Sequence, residues 1–229
     1  MHDLVVIAII AGLLALDDRA GWQSLAGEPV FSSLIVGLAL GHAGVALRCG
    51  VVLQLVWLSI GAARGSRRPN AVVGGVVGAA AACLSMHRTG DPREPLVVAG
   101  AVLCGLLAGE GAQWLNTRAG TARERWLEKF ELPKDPGVAS RNLTVYVIGS
   151  ALYVALVDAL VAVVAVAASV AVVELIIDRA GDGAAGVVAW LTVLPAIAVA
   201  TVAHAFALRT LRRVAALGCL IAVVMAWLL

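Results

Sequence analysis

Four polar or aromatic side chains in a mostly apolar stretch could recognise a hydroxyl-rich solute: Gln54, Trp57, Ser59 and Asn70. Amide and hydroxyl groups both donate and accept hydrogen bonds, which is what a sugar hydroxyl requires. The indole of Trp57 could form an apolar floor, and ligand sites combine such a floor with a few placed polar groups. Residues 29–70, which also carry recurring glycines, are therefore predicted to handle the substrate of a membrane transporter subunit.

Interhelical hydrogen bonding is the alternative explanation for Gln54 and Ser59. A polar group at membrane depth costs several kcal/mol unless it has a partner. An interhelical hydrogen bond in a membrane contributes about 0.6–2 kcal/mol, which is enough to explain a lone glutamine or serine. The residues by themselves leave both interpretations open.

Three further polar residues interrupt apolar segments, namely His42, Asp158 and Glu174. His42 could bind the solute or respond to protons, and a contact with a backbone carbonyl at a helix end is the favoured alternative. Asp158 and Glu174 need partners or water inside the bilayer, so functional and structural pairing explain them equally well. His204, beside Pro195, is interpreted as a packing residue.

Enzymatic chemistry has no support in the sequence motifs. The chain contains no GxSxG, HExxH or P-loop sequence. Its four cysteines are scattered through apolar stretches without CxxC spacing, so they are interpreted as small buried apolar residues. We therefore expect neither catalysis nor a metal or other cofactor.

The composition is that of a polytopic membrane protein with an all-α fold. Of 229 residues, 61% are hydrophobic and 14% are charged, against about 25% charged in soluble domains, and the mean hydropathy is +0.95. A net charge of +2, confined to short loops, excludes a nucleic-acid partner. The first apolar run, 4–16, has no preceding Lys or Arg and no cleavage site after it, so it is predicted to be a retained membrane segment.

The hydropathy pattern predicts one integral membrane domain, 1–229, in three parts. The first part, 1–115, holds a span at 30–47, a re-entrant or broken segment at 49–63, and spans at 71–86 and 96–115. Gly74 and Gly78 form a GxxxG pair in the third of these, which predicts close helix packing. The last part, 143–229, holds a long apolar run at 143–177 and spans at 187–208 and 214–229.

A cytoplasmic amphipathic connector is predicted at 116–142, where Trp126, Leu127 and Phe130 share one face of a short helix. The Lys/Arg-rich loops at 64–68, 118–141 and 209–213 are expected in the cytoplasm, and the 178–186 loop outside. An odd number of crossings must then separate residues 141 and 178. That requirement favours one span with a re-entrant arm over two full spans that turn back near Asp158.

The motif order over residues 16–80 resembles the sugar-translocating IIC component of the mannose/fructose/sorbose phosphotransferase systems (PTS). The family's LD, RP, LGD, LQL, Trp, IGA and P(D/N) elements are matched in order by Leu16-Asp17, Glu28-Pro29, Leu40-Gly41-His42, Leu53-Gln54-Leu55, Trp57, Ile60-Gly61-Ala62 and Pro69-Asn70. The chain departs from the pattern where His42 and Gln54 replace acidic residues, where Glu28 replaces arginine, and where Ser59 replaces asparagine.

The resemblance implies a IIC permease subunit (EIIC) in the bacterial inner membrane that binds a hexose or amino sugar. Its implied site combines Asp17, His42, Gln54, Trp57, Ser59 and Asn70. Implied partners are a IID membrane subunit and the soluble IIA and IIB phosphocarriers, with trimeric assembly, and phosphoryl transfer is the work of IIB. A membrane scaffold or sensor without transport, derived from a IIC subunit, is the alternative.

Overall fold

The computed structural model describes residues 2–20, 24–64, 69–89, 94–127 and 136–180, and these residues are helical with short turns and no strand. The elements in chain order are α1 (His2–Ala20), a 3₁₀ turn (Leu25–Gly27), α2 (Pro29–Ala39), α3 (Ala43–Arg64), α4 (Ala71–Thr89), α5 (Glu94–Leu127) and α6 (Pro136–Ala180). The predicted spans at 187–208 and 214–229 lie outside the described residues.

Within the described residues, three helices are long and apolar enough to cross a membrane: Ala71–Arg88, Glu94–Thr121 and Thr144–Arg179. Two shorter apolar helices, Pro29–Ala39 and Ala43–Leu58, accompany them. The predicted all-α polytopic membrane class is confirmed. The three spans differ in how much of their length is buried: 78% of the apolar stretch of α4 is buried, against 61% for α5 and 33% for α6. Helix α4 is therefore the central helix of the described bundle, and α6 presents most of its surface outwards.

Helices α2 and α3 form a hairpin, which corrects the predicted span at 30–47 and the predicted re-entrant or broken segment at 49–63. The chain turns at residues 40–42, where Gly41 has a φ of +79° that glycine adopts without strain. Helix α3 then continues without a break to Arg64. Gly50 does not bend α3. It allows α2 to pack closely against α3, because a Cβ there would lie 2.6 Å from the Ser33 Cβ. With 11 residues, α2 is about 16 Å long, roughly half the bilayer core.

Helices α4 and α5 pack closely through glycines, as the GxxxG pair predicts. A Cβ at Gly74 would lie 2.7 Å from the Gly105 carbonyl oxygen, and one at Gly78 would lie 3.3 Å from the Ala101 carbonyl oxygen. The pairing of residue 74 with 105 and of 78 with 101 also shows that the two helices are antiparallel. Small residues let the backbones approach to a distance that no larger side chain allows.

Helix α6 is one continuous helix of 45 residues, about 67 Å long, so the predicted re-entrant arm is wrong, and so is the alternative of a turn near Asp158. The helix does not need to break there because the Asp158 carboxylate finds its partners on neighbouring helices. The connector prediction also needs correction, since residues 116–127 continue α5 instead of starting a new helix. No proline occurs between Asn116 and Leu127 to end α5 earlier. Phe130 lies outside the described residues.

The three candidate spans alternate in direction. Asn116 of α5 contacts Asp158 of α6, and Gly100 of α5 lies against Val173, so α5 and α6 are antiparallel. Over Thr144–Arg179, α6 forms one candidate span, and the structure describes no second span between residues 141 and 178. Helices α3 and α5 end, and α4 begins, at one end of the bundle. We call this end the basic end, because the Lys/Arg-rich loops adjoin these helix ends in the sequence. Asp178 lies at the opposite end.

Candidate functional site

The first turn of α2 begins inside the bundle, against α3 and α4. Pro29 occupies the first helical position, where its missing N–H is not needed. Gly75 of α4 makes room for it, because a Cβ there would lie 3.0 Å from the Pro29 Cα. Glu28 precedes the helix and makes no side-chain cap, and its carboxylate instead accepts a hydrogen bond of 2.8 Å from the Gln54 amide nitrogen.

Two buried polar atoms on α3 have no hydrogen-bond partner among the described residues: Gln54 Oε1 and Trp57 Nε1. The two side chains are three positions apart, so they lie on neighbouring parts of one helix face. A buried polar atom without a partner costs about 1–3 kcal/mol. One atom accepts and the other donates, so a hydroxyl-bearing ligand could satisfy both.

The position of Trp57 is fixed by two glycines. A Cβ at Gly74 would lie 2.1 Å from Trp57 Cη2, and one at Gly109 would lie 2.8 Å from Trp57 Cζ2. The benzo edge of the ring therefore fills the space where α4 and α5 lack side chains. Because the residue is only 7% exposed, its ring face offers little surface to a ligand.

Asn70, Asn116 and Asp158 form a buried cluster that joins the α4, α5 and α6 regions, which we call the amide–carboxylate cluster. The Asn70 Nδ2 lies 3.0 Å from both carboxylate oxygens of Asp158, and the Asn116 Nδ2 donates to Asp158 Oδ1 over 2.8 Å. The Asn70 Oδ1 accepts from the Val73 N–H at 3.0 Å, which caps the start of α4. Both ends of the Asn70 amide are thus engaged.

Sequence reasoning found Asp158 and missed Asn116, whose only signal was an amide near the end of a predicted span. Asn116 is 7% exposed, and its Oδ1 has no partner within the described ranges. Glu174, the other acidic residue of the long apolar run, forms an ion pair with Arg88 of α4. For both acidic residues the structure shows side-chain partners within the bundle.

The structure places four of the predicted site residues in the basic-end half of the bundle. Gln54 and Trp57 share a face of α3, and a Cβ at Gly109 would lie near both Trp57 and, at 3.1 Å, the Asn70 carbonyl oxygen. Asp17, near the end of α1, accepts hydrogen bonds from the Ser24 N–H at 3.1 Å and the Ser24 hydroxyl at 2.5 Å.

His42 lies apart from these residues, in the turn between α2 and α3. Its ring nitrogen is 2.8 Å from a ring nitrogen of His87, and the rings meet edge to face. Twelve residues of α3 separate His42 from Gln54, which is about 18 Å along the helix. The His42 ring therefore contacts another imidazole, where a carbonyl was expected. The side chain of Ser59 lies outside the described residues.

These features define a polytopic membrane protein with a small polar site between glycine-packed helices, near the point where a half-length helix begins. The chain belongs to the family of sorbose-specific IIC components of the PTS, because the family model with that description matches residues 1–229.

A curated relative is the Escherichia coli (strain K12) protein named "Putative N-acetylgalactosamine permease IIC component 2". The two are 35% identical over 77 residues, which are 34% of this chain and 55% of the relative. The matched region thus spans little more than half of that relative. No solved structure matches the chain.

Proposed function

We propose that the chain is the sugar-translocating IIC subunit of a mannose-family PTS. It binds a hexose or an amino sugar and presents it for phosphorylation by a IIB partner. The family match over the whole chain supports the class. The observation that carries the proposal is the pair of buried, unpartnered atoms Gln54 Oε1 and Trp57 Nε1, for which the described residues supply no protein partner.

Gln54 and Trp57 are the proposed sugar contacts. A sugar hydroxyl donates to Gln54 Oε1, and a second hydroxyl oxygen accepts from the Trp57 N–H. Glu28 orients Gln54 by holding its amide nitrogen at 2.8 Å. The carboxylate of Glu28 also suits a sugar that carries a nitrogen substituent, and the relative's name mentions N-acetylgalactosamine.

The other predicted site residues have different proposed roles. Asn70 supports the site, since its amide is taken up by Asp158 and Val73 and its carbonyl lies beside Gly109. Asp17, Ser59 and His42 remain predictions, with Asp17 near the basic end and His42 at the far end of α3. A sugar crossing the bilayer would meet these two ends at different stages of transport.

The chain itself transfers no phosphoryl group in this proposal. It provides the pathway, in a bacterial inner membrane, together with a IID-type membrane subunit, soluble IIA and IIB phosphocarriers and trimeric assembly. The basic end faces the cytoplasm, where the phosphocarriers are. Lys/Arg-rich loops at that end support this orientation.

Sugar uptake and direct binding test the proposal. Cells lacking their own carriers would express the chain with a IID partner and be given a panel of hexoses and amino sugars. Binding by the purified chain would be measured by thermal shift with the same panel. We expect one sugar class to give both saturable uptake and a shift, and Gln54→Leu to weaken both. A panel without any response contradicts the proposal.

A scaffold or sensor without transport is the second candidate. Two observations favour a scaffold or sensor. His42 and Gln54 stand where the family has acidic residues, and both ends of the Asn70 amide already have protein hydrogen-bond partners. A sensor that binds sugar would give the thermal shift without uptake, whereas a scaffold would give neither. Neighbouring genes for IIB and IID subunits would favour transport.

A further inference from the structure

An open cavity of about 570 Å³ lies at the end of the bundle opposite the basic end. It is lined by the start of α1, the end of α2, the last turns of α4 and the second half of α6. It shares no lining residue with the face that carries Gln54 and Trp57. The site described above therefore leaves this cavity unexplained.

The lining of the cavity is polar at the opening and becomes apolar with depth. Its four polar lining residues, Asp3, His87, Arg88 and Glu174, lie near helix ends. Val170 and Val166 follow Glu174 inwards along α6 at intervals of one turn, so the apolar wall extends about 12 Å below the carboxylate. This gradient fits an amphiphile that lies along the bilayer normal. A sugar would leave its deeper hydroxyls without hydrogen-bond partners against the apolar wall.

Both signs of charge occur together at the opening. Arg88 pairs with Glu174, and their side chains remain 65% and 33% exposed, so the pair can still accept a ligand. The Asp3 side chain is 56% exposed. An arginine suits a phosphate group, whereas two carboxylates suit an ammonium group that can donate hydrogen bonds. A zwitterionic headgroup with both groups complements this opening.

We propose that the cavity binds a phospholipid with a primary ammonium headgroup, phosphatidylethanolamine. The phosphate accepts hydrogen bonds from Arg88, and the ammonium donates to Asp3 and Glu174. The first part of one acyl chain lies against Val166 and Val170. The quaternary ammonium of phosphatidylcholine cannot donate a hydrogen bond, and phosphatidylglycerol brings a negative charge without a cation to face the two carboxylates.

Two neighbouring alanines of α6 provide a matched test. Both alanines are exposed, and Ala167 lines the cavity whereas Ala168 does not. Ala167→Leu fills the apolar depth, and Ala168→Leu makes the same change on the adjacent face. Glu174→Gln removes one carboxylate from the opening and leaves the depth unchanged.

The purified full chain, stripped of lipid in detergent, would be titrated with phosphatidylethanolamine, phosphatidylcholine or phosphatidylglycerol of identical acyl chains. Retained lipid would be counted by native mass spectrometry, with thermal unfolding as a second readout. We expect phosphatidylethanolamine to be retained at least five-fold better than the other two lipids. Ala167→Leu should lose that retention, Glu174→Gln should weaken it, and Ala168→Leu should keep it.

Equal retention by the Ala167→Leu and Ala168→Leu variants would overturn the proposal, as would equal retention of all three lipids. If a protein segment or a sugar occupies the cavity, Ala167→Leu will change the melting temperature or the sugar response without changing bound lipid, which also overturns it. The measurement needs no sugar, so its outcome is independent of the sugar-binding proposal.

Discussion

Asp158 of α6 and Asn70 before α4 are 88 residues apart in sequence, and the Asn70 amide nitrogen lies 3.0 Å from both carboxylate oxygens of Asp158. The same asparagine caps α4 through Val73. One side chain thus fixes where α4 begins and where α6 lies beside it. Because the Asn70 backbone also lies next to Gly109 and hence near Trp57, the cluster supports the proposed site without needing to touch a sugar.

Removing the carboxylate of Asp158 should destabilise the whole bundle. Asp158→Ala leaves the amide nitrogens of Asn70 and Asn116 buried without an acceptor, at a cost of about 1–3 kcal/mol each. We expect a clear fall in the melting temperature of the purified chain. Asp178→Ala, at the exposed end of α6, is the control and should have little effect. Equal melting temperatures for the two variants would contradict this role.

Gly74 should not tolerate even a methyl group. Its added Cβ would lie 2.1 Å from the Trp57 ring and 2.7 Å from the Gly105 carbonyl oxygen, and a backbone atom of a packed helix cannot move away cheaply. We expect Gly74→Ala to cost about 1–3 kcal/mol, measured by unfolding in detergent. Gly111→Ala, with nothing within 4 Å of the new Cβ, should stay within about 0.5 kcal/mol. Similar losses for both variants would show that the close approach is absent.

Gln54→Leu should weaken sugar binding far more than it weakens folding. Losing a hydrogen bond of about 1–1.5 kcal/mol lowers affinity by roughly five- to tenfold. Glu28→Gln should give a smaller loss, because it retains an acceptor for Gln54 without the charge. Titration calorimetry with the responsive sugar measures both effects. The control is Leu58→Ala, on an exposed part of α3, and an affinity loss there as large as that of Gln54→Leu would refute the assignment.

Two arginine–glutamate ion pairs of the described residues, Arg48–Glu94 and Arg88–Glu174, should contribute little to stability. The arginine side chains are 69% and 65% exposed, so water and salt screen both interactions. Double-mutant cycles should give coupling energies of at most about 1 kcal/mol each, falling further in high salt. A salt-independent coupling of several kcal/mol would mean that the pairs are shielded from solvent.

The proposed site was only partly predictable from sequence. Gln54 and Trp57 stand out because a polar or amphipathic side chain in an apolar run needs a reason. Their shared helix face follows from a spacing of three residues. The pairing of Gln54 with Glu28 could not be predicted from the sequence, because it depends on how deeply α2 begins between α3 and α4. Asn116 was equally hidden, since only the antiparallel packing of α5 and α6 brings it to Asp158.

The sequence alone determined the membrane class, the all-α fold, the family resemblance and the polar residues that need partners, because each follows from hydropathy or local motif order. Only the tertiary structure decided what individual residues do. Gly41 turns the chain while Gly50 and Gly74 admit neighbouring side chains, a difference set by what lies opposite each glycine. Asp158 can sit in an unbroken helix because two distant amides reach it. Such choices depend on contacts between residues far apart in sequence, which no local pattern specifies.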